Sequence, residues 1–177
     1  PGLRLSELLA LTPAEQALLD AAGDGGPVPD GAEDVLAAFL AAARDRSDAE
    51  AVVCAGTSLT FGALHRRAAG IAALLRAAGV RPGDRVGVGM RRSTDLPAAL
   101  LAVLMSGAAY LPLDPDYPRE RLRYLCDDAT PTAVLVHTAT RDTFAAPGMV
   151  PRGVPLVDVD VDAPGATAGE PGSGDDT

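Results

Sequence analysis

No lysine occurs in these 177 residues; all 15 basic side chains are arginine. A Walker-type phosphate loop places a lysine ammonium on the phosphates, so a complete one is excluded. Cysteine is nearly as scarce. Cys54 and Cys126 stand alone, without paired spacing, which gives no disulfide framework and fits a reducing cytoplasm. Aromatic residues make up 3% of the chain against 47% hydrophobic residues in all, so the core of the single α/β unit expected at this length must be mostly aliphatic. No run approaches the eighteen or so consecutive apolar residues of a membrane span, and the N-terminus does not pair a basic start with an apolar stretch and a cleavage site. A net charge of -9 opposes nucleic acid, whose phosphates call for a basic surface.

What is present begins with Thr12-Pro13-Ala14-Glu15, a capping box with proline at the first helical position, which opens a short helix to about Ala22. Residues 23 to 31 are rich in glycine and proline and break it. Residues 1–31 therefore read as an interdomain linker with one short helix, and the domain proper, 32–162, starts near Ala32. Leu36, Phe39, Leu40 and Ala43 recur at helical spacing from Glu33 to Arg46. Glu50 to Cys54 follows as a β-rich run, and Ala55-Gly56-Thr57-Ser58 returns it as a hairpin. Leu64, Ala68, Ile71, Leu75 and Ala78 then mark an amphipathic helix ending at Gly79, with Arg66, Arg67 and Arg76 elsewhere on its wheel.

From Arg85 the pattern alternates. Strands are predicted at 85–90, 109–113 and 132–137, helices from about Thr94 to Met105 and from Pro118, the latter turning Leu122, Leu125 and Cys126 inward. A last strand is expected over Val154 to Val161, before a flexible tail, 163–177, of Gly, Pro, Ser and Asp. Such alternation implies an α/β fold: a mainly parallel sheet with helices on both faces.

The densest stretch is Leu101 to Ala129. Gly107 permits a sharp turn between helix and strand, Ala109 and Tyr110 to Leu113 continue as a buried strand, and Pro112 restricts that strand's ladder partners. Asp114 with Pro115 leaves the sheet, and Pro118 is pre-set for the next helix. Its chemistry is meagre, with one carboxylate and no nucleophile, base or anion cradle, so it reads as framework.

These residues carry a family resemblance. Leu104-Met105-Ser106-Gly107-Ala108-Ala109-Tyr110-Leu111-Pro112-Leu113-Asp114, continued by Pro115-Asp116-Tyr117-Pro118 and Glu120-Arg121-Leu122, resembles the second core motif of amino-acid adenylation domains of nonribosomal peptide synthetases, in the adenylate-forming (AMP-binding) superfamily. Met105 replaces the usual lysine. Leu59-Thr60-Phe61-Gly62-Ala63-Leu64 looks like the first core motif, and residues 3 to 28 resemble the segment joining a condensation domain to an adenylation domain.

The resemblance implies the first subdomain of the family's large domain. A complete domain activates an amino acid with ATP and Mg to an aminoacyl adenylate and loads it on a carrier-protein thiol borne by phosphopantetheine. The family's phosphate loop, substrate pocket, ribose-binding aspartate and catalytic lysine would lie in later polypeptide. On this reading the chain holds no catalytic, cofactor-binding or metal residue and is inactive alone; Gly107, Ala109, Tyr110, Pro112, Asp114 and Pro118 are its structural family motif. Implied partners are the rest of the adenylation domain, an upstream condensation domain and a downstream carrier protein. An MbtH-like protein would dock near Arg119, whose bulk opposes it. Alternatives are a non-catalytic docking module, part of an interrupted or two-chain domain, and an acyl- or aryl-acid-activating relative.

Other patterns carry less. Gly87-Val88-Gly89 follows a strand as a dinucleotide fingerprint would, but Arg92 stands where the third glycine belongs, so a plain sheet-to-helix turn is expected. Asp158, Asp160 and Asp162 lack the glycine and glutamate of a calcium loop and read as a half-exposed strand. His65 and His137 have no metal-ligand spacing. Asp175 and Asp176 beside Gly172-Ser173-Gly174 would repel phosphate. Arg119, Glu120, Arg121 and Arg123 form a solvated helix face.

Overall fold

The computed structural model describes residues 11–23 and 34–160. The expected tail, most of the glycine- and proline-rich interval, Val161 and Asp162 lie outside these residues. The chain divides into two compact units, Pro1–Asp34 and Val35–Thr177.

In the first unit, α1 (Pro13–Gly23) starts at a reciprocal cap: Thr12 N–H donates to Glu15 Oε2 at 2.7 Å, and Glu15 N–H donates to Thr12 Oγ1 at 3.3 Å. The backbone bond from Thr12, with its hydroxyl adding, holds the Glu15 carboxyl below the usual range.

The second unit begins with α2 (Val35–Asp45) and an antiparallel hairpin of β1 (Glu50–Cys54) and β2 (Thr57–Thr60). Its turn is tighter than the sequence suggests. Ala55 and Gly56 alone connect the strands, both at positive φ (+49° and +80°), the geometry that matches strand twist in a two-residue hairpin. Thr60 Oγ1 then accepts from Ala63 N–H and caps α3 (Phe61–Ala77), which buries Leu64, Ala68, Ile71, Ala72 and Leu75 as its apolar spacing requires.

The remaining elements are β3 (Arg85–Gly89), α4 (Asp95–Met105), β4 (Ala109–Pro112), α5 (Arg119–Ala129), β5 (Ala133–Val136), α6 (Thr138–Ala145) and β6 (Leu156–Asp158). The four strands form one parallel sheet in the order β4-β3-β5-β6. β5 shows why it is covered on both faces. Ala133 and Leu135 enter one core with Val86, Val88, α3 and α4; Val134 and Val136 enter another with Leu113, Leu122, Cys126 and Phe144. Each fully buried Val or Leu contributes about 1.5–3 kcal/mol, so a strand buried at every position is held from both sides.

Gly87 and Gly89 point into the second core. A Cβ on Gly87 would meet Leu113 Cδ1 at 2.8 Å and Val134 Cγ2 at 3.0 Å; one on Gly89 would lie 2.6 Å from Phe144 Cζ. These two glycines therefore make room for packing across β3, a role distinct from phosphate binding and from a turn.

The structure corrects several expectations. Among the described residues β4 is an edge strand: Tyr110 is 46% exposed, and Leu111 is only partly buried, because β3 pairs it on one side alone. Only Leu113, just past its end, is fully buried. Pro118 stands outside α5 as its N-cap residue, with Arg119 first in the helix. Residues 138–145 form a helix where the sequence shows no periodic signal, and β6 is three residues long rather than spanning 154–161.

Candidate functional site

Strand order locates the place where an open parallel sheet ordinarily accepts a ligand. β4 lies on one side of β3, whereas β5 and β6 lie on the other, so the crevice of such a sheet opens beyond the carboxyl ends of β3 and β5. Here the chain's own side chains fill it. His137 follows β5 directly, Asp95 is the first residue of α4, Arg67 reaches over from α3, and Asp160 follows β6.

The four groups form a continuous polar chain. Arg67 Nε donates to Asp95 Oδ1 at 2.9 Å, and its Nη2 donates to the Val159 carbonyl at 2.7 Å. His137 Nε2 lies 3.2 Å from Asp95 Oδ2, and Nδ1 lies 2.6 Å from Asp160 Oδ1. Asp160 Oδ2 accepts from Thr138 N–H at 2.7 Å, meeting a free amide of the first turn of α6. Arg141 pairs with Asp158 alongside. Burial pushes the Asp160 carboxyl up, but the bonds from Thr138 and the neighbouring His137 ring outweigh it and hold the carboxyl below the usual range. The two contacts of the ring differ: Nε2 meets Asp95 Oδ2 with hydrogen-bond geometry, whereas Nδ1 lies close to Asp160 Oδ1 without forming a hydrogen bond. Beneath this layer, Thr140 Oγ1 donates to the Gly89 carbonyl at 2.7 Å, and Phe144 covers Gly89.

This arrangement does not fit the cofactors of adenylate chemistry. The guanidinium groups of Arg67 and Arg141 are already engaged by Asp95 and Asp158, so the crevice presents no unpaired cation to a phosphate. Ligand-capable atoms of Asp95, His137 and Asp160 do lie within 4.8 Å of one another. Yet both His137 nitrogens are engaged by carboxylates and Arg67 holds Asp95, so a cation would first have to displace a guanidinium. Magnesium, which favours oxygen ligands and retained water, is poorly served there. His65 is remote from this cluster in role, its ring 6.3 Å from that of Phe39.

The six motif residues follow the chain from the turn before β4, through β4, to the N-cap of α5. Gly107 turns at φ +70° against Pro82, and its carbonyl accepts from Gly83 N–H at 2.9 Å. Ala109 N–H donates to the Asp84 carbonyl, which sets the register of β4 beside β3. Asp114 Oδ1 accepts from Asp116 N–H at 3.0 Å and so shapes the turn that follows. Tyr110 and Pro112 line an open trough of about 550 Å³, floored by Val88, Met90 and Leu113 and walled by Leu96 and Leu100 of α4. Arg91 pairs with Asp116 at its rim, at 2.6 Å, with both side chains exposed. A smaller hollow of about 300 Å³ lies beside Arg119, Glu120, Arg123 and Met149.

A parallel four-stranded sheet with helices packed on both faces defines an α/β fold. Which family carries it here is shown by comparison. Residues 39–175 match the family model for AMP-binding enzymes, and the chain belongs to that family. AMB antimetabolite synthetase AmbB of Pseudomonas aeruginosa is 48% identical over 110 residues, 62% of this chain and 9% of the relative. Surfactin synthase subunit 2 of Bacillus subtilis is 41% identical over 131 residues, 73% and 4%. The nonribosomal peptide synthetase FmoA3, solved with AMPPNP, superposes at a TM-score of 0.73 and 36% identity, over 88% of this chain and 16% of that one. A four-domain nonribosomal peptide synthetase bound to AMP and glycine superposes at 0.65 and 36%, over 75% and 9%. The chain thus corresponds to the N-terminal portion of an adenylation domain of the nonribosomal peptide synthetase kind, and spans under a tenth of the length of these two curated relatives. Among the described residues, no helix is long and apolar enough to cross a membrane.

Proposed function

We propose that this chain is the N-terminal scaffold part of an amino-acid-activating unit: the complete adenylation domain joins an amino acid to AMP at the expense of ATP, with Mg, and passes the acyl group to a phosphopantetheine thiol on a carrier protein. The observation that carries this reading is the match over residues 39–175 to AMP-binding enzymes, together with peptide-synthetase relatives at 41–48% identity. The self-filled crevice supports the second half of the proposal, that these residues position later polypeptide and do no chemistry alone. Residues 1–31 act as the linker from a preceding condensation domain, and 32–162 as the first subdomain.

The test is amino-acid-dependent exchange of pyrophosphate into ATP. The 177-residue chain alone is expected to show none, and the same chain joined to the continuation of the domain is expected to show exchange with one amino acid or a few. Exchange by the chain alone would sink the scaffold reading; a joined domain that folds yet activates no carboxylic acid would sink the ligase reading.

A further inference from the structure

We infer that the hollow between the first turn of α5 and the turn at residues 146–149 binds a phosphate group, carried as the monoester of a small hydroxylated compound. The inference is independent of the ligase reading above.

The charged run at the start of α5 is not one uniform solvated face. Arg121 turns to Tyr117 and lies over its ring, 4.4 Å from the centroid. Arg119 and Arg123, one helical turn apart and so on the same side of α5, line the hollow instead. Arg67, Arg91 and Arg141 each hold a carboxylate, but among the described residues neither Arg119 nor Arg123 has one within ion-pair distance. Two guanidiniums sharing one hollow repel each other, and an anion placed between them relieves that repulsion.

The opposite wall is already formed. Met149 N–H donates to the Ala146 carbonyl at 3.0 Å and closes a four-residue turn, with Pro147 second and Gly148 third at φ +70°, the pattern of a type II turn. Met149 is buried in the second core, which fixes the floor.

Phosphate suits this lining well. A phosphomonoester presents three strong acceptor oxygens and is mostly a dianion at about pH 7, so it can meet both guanidinium forks at once. The volume of about 300 Å³ exceeds the needs of a lone ion and falls at the lower end of small-molecule sites, about 300–1,000 Å³. The space left over meets Pro147 and Met149 and, as a third charged group, Glu120. An ionised Glu120 only accepts hydrogen bonds, so it matches hydroxyl groups on the compound that carries the phosphate. Nucleic acid is disfavoured by the net charge of -9. A small ester answers mainly to the nearby arginines, because salt at about 0.15 M screens exposed charges beyond about 8 Å.

The experiment titrates glycerol phosphate into the isotope-labelled 177-residue chain at constant ionic strength, and follows the arginine Nε–H signals and the Met149 methyl signal. Sodium chloride and inorganic phosphate are titrated in parallel. The variants are Arg119→Gln, Arg123→Gln and the control Arg121→Gln; all three side chains are exposed, and the remaining methyl signals report that each variant is folded. Saturable binding near about 1 mM is expected, with shifts confined to Arg119, Arg123 and Met149. Either of the first two substitutions should weaken it about tenfold, and the control should leave it unchanged. Inorganic phosphate should bind more weakly than the ester; binding as tight or tighter overturns the assignment to an ester. Absence of a saturable shift, a chloride response of the same size, or equal affinity in all three variants overturns the site.

Discussion

His137 Nδ1 sits 2.6 Å from Asp160 Oδ1, while Nε2 of the same ring sits 3.2 Å from Asp95 Oδ2. One imidazole thus joins the start of α4 to the exit of β6 across the carboxyl ends of the central strands, and the interactions it makes have separable consequences.

Asp160→Asn keeps an acceptor for Thr138 N–H but removes the charge facing His137. At about pH 7 it is expected to lower stability by about 1 kcal/mol. Because the folded-state carboxyl is held below its ordinary value, its contribution is complete above the unfolded-state value and is lost as pH falls through the folded one. Urea unfolding of the two proteins should therefore converge below about pH 4. A difference that stays constant on acidification refutes a role for the Asp160 charge.

Gly89→Ala pushes a methyl group into the Phe144 ring in the sealed second core, a cost of about 1–3 kcal/mol. Phe144→Leu in the same chain should recover part of that loss. Thermal melts of the single and double variants check this, and strictly additive effects would show that the ring is not what Gly89 accommodates.

Gly107→Ala combines a left-handed backbone with a contact of 3.0 Å to Pro82 Cβ, for a cost of about 1–3 kcal/mol. Gly79→Ala shares the positive φ but meets open space, and should cost less. Denaturation midpoints that fail to separate the two variants would discount the Pro82 contact.

Burial pushes the Cys126 thiol up, and the neighbouring Asp127 charge pushes it further, whereas Cys54 is partly accessible. A thiol reagent should label one cysteine of the native chain quickly and the second only on unfolding. Mass mapping that finds Cys126 modified in the folded protein would contradict its sealed position.

Much of the scaffold was legible because its signals are local. The Thr12–Glu15 cap, the four-three spacing of α3, the unbroken apolar run of β5 and the Gly107 turn each sit within a few residues. The polar chain at the crevice was not legible: Arg67, Asp95, His137 and Val159 meet across separations of 28, 42 and 92 positions. Arg67 looked like one more solvent-facing arginine on its helix wheel. α6 was missed because Thr-Ala-Thr-Arg-Asp-Thr-Phe-Ala has weak helix propensity and one large apolar side chain. Tertiary contacts hold it: Asp160 on Thr138 N–H, Thr140 on Gly89 and the buried Phe144 ring. The exposure of Tyr110 escaped notice for a related reason, since an apolar strand reads alike at the centre of a sheet and at its border.

Pro112 at that border has a consequence for solution behaviour. A bare strand margin invites like chains to stack into ribbons, and fibril growth needs an amide donor at each rung. The pyrrolidine ring removes one rung within a four-residue strand, so this margin offers little backbone for self-propagating assembly.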